Sequence, residues 1–310
     1  MTSPVSRRAR NAWRRARGLA LLAVAIATVT GVALWVLAAG RASAIPAIPA
    51  TIGVTVTAVA IAVAAGLGAE FRRPRVADLD EASRAAKAPG LGVVRTQRAA
   101  DEPLGRRATW FVPDDPWRLT LAALTPRAAA GSWVLVSGDE ANETGQTAAG
   151  IARAAAAEPR STLLVDTDPV TRGAVRDFPH ASREGVAEVV ADGRAWQDVI
   201  ASATGEYRAL DLVGPGVPGR ARASRLSPED QSALRALSRG YAMTIISLAD
   251  PAALLSASGG VLPNTQAVLV AVRGVTTLAS LRRRSAILEA AGVQTAGVLL
   301  WEQAAARPVS

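Results

Sequence analysis

Ser137-Gly138-Asp139-Glu140-Ala141-Asn142-Glu143-Thr144-Gly145-Gln146-Thr147 lies between a β-branched run at 133–137 and an Ala-rich helical pattern at 147–156. A Gly-containing turn from strand to helix is where backbone amides cradle phosphates, a lysine contacts them and a Ser or Thr hydroxyl holds magnesium. Gly138, Gly145 and Thr147 fit that pattern, and Gln146 stands where the lysine belongs. A purely structural turn reads these residues equally well.

On either side of this stretch, short β-branched runs alternate with helical patterns. Strands are expected at 133–137, 162–166, 209–213, 243–247, 267–272 and 295–300, with helices at 147–156, 185–191, 228–238 and 276–291. This alternation predicts an α/β fold, a mostly parallel sheet flanked by helices, over residues 131–302. Ser227-Pro228-Glu229-Asp230 opens one helix with an N-cap serine, proline in the first turn and acids at the positive end. In such sheets ligands sit at the carboxyl ends of strands, so the loops after Ser137, Asp166 and Ser247 are where chemistry is expected.

Two uncharged apolar runs, 19–39 and 51–69, each match the roughly 20 residues that cross a bilayer. Six arginines precede the first and Arg72, Arg73 and Arg75 follow the second, while the connecting loop carries only Arg41. The positive-inside rule then predicts a hairpin in the cell membrane with both flanks cytoplasmic. Ala42-Ser43-Ala44 also fits a leader-peptidase site, although the first apolar run exceeds the usual leader core. Residues 1–75 thus read as basic N-terminus and hairpin, 76–130 as a juxtamembrane connector with helices near 79–87 and 116–124, and 303–310 as a tail.

The formal charge of +9 belongs to the anchor: residues 1–75 hold ten Arg and one acid, whereas the rest balances 24 Arg and Lys87 against 25 acids. A domain without net positive charge lacks the footprint of nucleic-acid binding. Cysteine is absent and His180 is the sole histidine, which excludes thiolate chemistry and argues against a histidine metal site or a serine–histidine triad.

Leu163-Leu164-Val165-Asp166-Thr167-Asp168 resembles the second-strand Asp-x-Asp motif of the deviant Walker ATPases, the MinD/ParA class. Within that class the ordered series resembles the bacterial tyrosine autokinases and polysaccharide co-polymerases, including Wzz-type chain-length determinants. Its members are Gly185-Val186-Ala187-Glu188-Val189-Val190-Ala191, Ala271-Val272-Arg273-Gly274-Val275-Thr276-Thr277 and Asp115-Pro116-Trp117-Arg118-Leu119. The resemblance implies a nucleotide site at Gly138, Gly145, Gln146, Thr147, Asp166 and Asp168, with Thr147 and Asp166 nearest any magnesium.

The chain departs from the family at the positions that carry chemistry. Lys87 is the only lysine, Ser247 takes the place of the Walker B aspartate, and no tyrosine-rich tail follows residue 302. A neutral amide cannot offset phosphate charge during transfer. The expectation is a degenerate homologue acting as a scaffold or regulator in exopolysaccharide or capsule assembly, with the bilayer, polysaccharide-assembly membrane proteins or its own copies as partners. The alternative is an ATP- and Mg-dependent ATPase or kinase with a non-standard phosphate loop. A third reading has Asp166 and Asp168 simply capping the next turn.

Overall fold

The computed structural model describes residues 73–96, 116–124, 131–158, 160–176, 178, 184–217, 227–248, 251 and 264–303. The runs at 19–39 and 51–69 and His180 lie outside them; no helix of the described residues is long and apolar enough to cross a membrane. From Arg75 onward the chain forms one compact unit.

Six strands lie where the sequence places them, to within two or three residues: β2 (Ser132–Gly138), β3 (Thr162–Asp166), β5 (Leu210–Val213), β6 (Met243–Leu248), β7 (Thr265–Val272) and β8 (Gln294–Gln303). β2, β3, β6 and β7 are buried along their whole length, as expected of parallel strands covered on both faces. Two further strands join them, β1 (Gly90–Thr96) and the short β4 (Ala201–Ser202). The order is β1-β8-β7-β2-β6-β3-β5-β4, and only the β4–β5 pairing is antiparallel.

The stretch read as a connector supplies an edge strand, since β1 runs parallel to β8 from Gly90↔Val298 to Thr96↔Gln303. It is preceded by α1 (Leu79–Ala86), capped by Asp78, whose carboxylate accepts from the Glu81 amide, and closed by Lys87 in the left-handed conformation. The single lysine is therefore a helix C-cap.

Helices cover both faces. On one side α1, α4 (Val186–Asp192), α5 (Pro228–Ser238) and α6 (Leu278–Ala290) bury Ala82, Val189, Leu234 and Leu281 against Trp133, Leu135 and Leu163. On the other, α2 (Pro116–Leu124) and α3 (Ala141–Ala157) set Leu121, Ile151 and Ala152 against Val134, Val136, Leu164 and Ile245. Ser227 caps its helix as the sequence predicts, and the structure adds a capping box in which Ser227 and Asp230 satisfy each other's amides.

From β2 the chain crosses to β3, β6 later fills the gap between them, and β7 and β8 extend the other side of β2. The direction of strand addition thus reverses at β2, which places the carboxyl ends of β2, β6 and β3 side by side at the crevice where such sheets take ligands.

Candidate functional site

α3 begins at Ala141, six positions before the expected start, so only Asp139 and Glu140 separate it from β2. Gly145, Gln146 and Thr147 consequently lie within a helix rather than in an open loop, and all three are buried. An internal glycine normally costs a helix about 1 kcal/mol, which is why the sequence favours a later start. Packing overrides that preference. A Cβ on Gly145 would sit 2.4 Å from the Gly173 carbonyl carbon and 2.5 Å from the Ala174 nitrogen, so only glycine lets the loop after β3 rest on α3.

Gly138 is equally confined, because a Cβ there would come within 2.6 Å of Thr144 Oγ1 and 2.8 Å of the Val270 carbonyl oxygen. The Thr147 hydroxyl donates to the Glu143 carbonyl at 2.8 Å and accepts from Trp301 Nε1 at 2.9 Å. Its proton and one of its two lone pairs are engaged inside the protein, on the α3 backbone and on a tryptophan of β8.

Asp166 and Asp168 do come together at the end of β3, turned inward. Asp166 is fully buried and accepts from the amides of Asp168 and Ala174, both at 3.0 Å, and Val175 at 3.4 Å. Burial pushes its carboxyl up from 3.8 to about 6, outweighing the three amides that favour the ionised form, and the like charge of Asp168 acts in the same direction as burial. Asp168 accepts from the amides of Val170 and Thr171 and from the Thr171 hydroxyl. These carboxylates cap the following turn, as the third reading of the sequence has it.

Ser247, expected in the place of a Walker B aspartate, is paired in register with Val136 on one side and Asp166 on the other. Its carbonyl accepts from the Thr167 amide at 3.3 Å and the Thr167 hydroxyl at 2.7 Å. Sequence reasoning missed two contributors, Arg284 of α6, which reaches Ser137 and Asp139, and Trp301. Neither belongs to a local motif, and no spacing rule singles out their partners.

The donor set differs from an open phosphate loop. Gly145, Gln146 and Thr147 lie within α3, the Thr147 hydroxyl is engaged by Glu143 and Trp301, and the carboxylates face backbone amides. Among the described residues no group of three His, Cys, Asp or Glu side chains could hold a metal.

No family model matches the chain, nor does any curated protein. Solved structures do. The BceF tyrosine kinase domain superposes with a TM-score of 0.54 at 19% identity, over 74% of this chain and 99% of that one. In fold, the domain is similar to bacterial tyrosine kinase domains. The chimerical protein CapA2B2 gives a TM-score of 0.52 at 20% identity, over 72% of this chain and 98% of that one. The kinase domain of the Escherichia coli tyrosine kinase ETK gives 0.51 at 17%, over 71% and 91%. At these identities what the kinase domains share with this chain is the fold.

Proposed function

We propose that this protein is a membrane-anchored, catalytically degenerate homologue of the polysaccharide-assembly tyrosine autokinases. It acts as a scaffold or regulatory partner in the assembly or export of a cell-surface polysaccharide, its N-terminal hairpin in the bilayer and its α/β domain in the cytoplasm. It works against polysaccharide-assembly membrane proteins or further copies of itself, and not on nucleic acid.

The observation that carries this reading is the sealed turn after β2. Gln146 replaces the lysine, and the segment that would cradle phosphate is a helix with the Gly173–Ala174 backbone seated on Gly145. Phosphoryl transfer depends on positioned positive charge and metal at the transferred group, and the chain's single lysine, Lys87, caps α1 and does not stand in the turn after β2. The kinase-domain fold and the basic apolar N-terminus support the placement in envelope assembly.

The test is nucleotide binding and turnover by the full-length protein in lipid nanodiscs. A ligand at 100 times its dissociation constant adds about 2.7 kcal/mol of stability. Millimolar ATP with magnesium is expected to leave the unfolding temperature unchanged and to yield no phosphate above blank. A clear thermal shift together with turnover lost in Gln146→Ala would sink the scaffold reading in favour of a working ATPase.

A further inference from the structure

Asp139 stands between β2 and α3, and its carboxylate is gathered by a helix from the far end of the chain. Arg284 donates to Asp139 Oδ1 from Nε at 3.1 Å and from Nη2 at 2.9 Å, and Ser280 donates to the same oxygen from Oγ at 2.6 Å. The remaining guanidinium nitrogen, Nη1, donates to Ser137 Oγ at 2.9 Å. One rigid planar group thus grips the chain on both sides of Gly138, a fork that a lysine ammonium cannot reproduce.

The pair is partly shielded from water, with side-chain exposures of 14% for Arg284 and 28% for Asp139, against 72% for Arg95 and 23% for Glu302 in theirs. An ion pair in that setting is screened less than one on the open surface. α6 has its own seat besides. Leu278, Leu281 and Leu288 are buried in the core, and Ser285 Oγ donates to the Ala86 carbonyl of α1. The reach of Arg284 to the turn is therefore additional to what docks α6.

We propose that Arg284 is a latch: through Asp139 and Ser137 it holds the β2–α3 turn shut and ties the shape of that turn to the seating of α6. The latch rests on the scaffold reading, since it gives the carboxyl end of the sheet a fixed form without a ligand. Drawing α6 away opens the turn, and leaving it seated keeps the turn closed.

Amide hydrogen exchange on the full-length protein tests this. Arg284→Met and Asp139→Asn should each raise exchange over residues 139–144 about tenfold while β7 stays protected. Their combination should do no more than either alone. Exchanging the charges, Asp139→Arg with Arg284→Asp, should restore much of the protection. Should Arg284→Met fail to fold, Ser280→Ala removes one donor to Asp139 and gives the same local effect on a smaller scale.

Unchanged exchange over 139–144, or a rise shared equally by β7, overturns the latch and leaves the scaffold reading standing. Protection of 139–147 by magnesium ATP in the unaltered protein does the reverse, overturning the scaffold reading.

Discussion

The turn after β2 and the loop after β3 leave the same end of the sheet and are secured by opposite means. The turn is two residues long and is held by a cation from another helix, Arg284 on Asp139. The loop is held by the carboxylates at the end of its own strand, Asp166 and Asp168, which collect its amides. An ion pair near the surface answers to salt, whereas a buried carboxylate bound to amides answers to pH. Two neighbouring segments of one crevice therefore have different weak points, and they lean on each other where Gly173 meets Gly145.

The largest effect is expected where they touch. Gly145→Ala should cost about 3 kcal/mol in urea unfolding even though alanine is worth about 1 kcal/mol more than glycine in a helix. A more stable variant would show that the loop does not press on α3.

Next comes the loop's own anchor. Asp166→Ala should cost about 2 kcal/mol by orphaning buried amides, and Asp166→Asn less, because an amide oxygen still accepts. The pH dependence has a definite sign. A carboxyl at about 6 when folded and 3.8 when unfolded adds stability that is fully present below pH 3.8 and lost as pH rises through about 6. Relative to Asp166→Asn, the unaltered protein should gain about 2 kcal/mol between pH 7 and pH 4. A flat difference between the two pH profiles would contradict the buried carboxylate.

Trp301→Phe keeps the ring contact with Trp117 but removes the donor to Thr147, and should cost about 1 kcal/mol, read as a shift in the unfolding midpoint. The smallest effect belongs to the exposed pairs of Glu302 with Arg95 and Arg273. Glu302→Gln should change stability by about 0.5 kcal/mol or less, and that remainder should vanish in molar salt. A larger loss there than at Asp166 would invert the contrast between exposed and buried charge.

The strands were legible because each is an apolar run long enough to cross a sheet and punctuated by polar turns, as in 162–166 and 243–247. β1 was not, because Pro89, Gly90 and Gly92 carry turn signals and its reason for being a strand is the free edge of β8. The start of α3 at Ala141 precedes the position the sequence predicts for a related reason. Asn142 and Gly145 are poor helix formers, whereas in the fold the Gly173 backbone rests on Gly145 and Trp301 donates to Thr147. Asp166 and Asp168 were found as positions, while their partners, amides on the same loop, distinguish capping from metal binding only once the loop is folded. Arg284 is one of 34 arginines, and its partner lies 145 positions away.

The way the chain enters the domain has a mechanical consequence. Arg75 forms an isolated bridge with Thr277, and its guanidinium donates to the Val275 carbonyl at 2.7 Å. Val76 is fully buried, donates to the Thr276 carbonyl at 3.0 Å and accepts from the Gly274 amide at 2.9 Å. Arg75 and Val76 are therefore fastened without slack to the turn between β7 and α6, and any displacement of their backbone is borne there first, at the N-terminal end of the helix that carries Arg284.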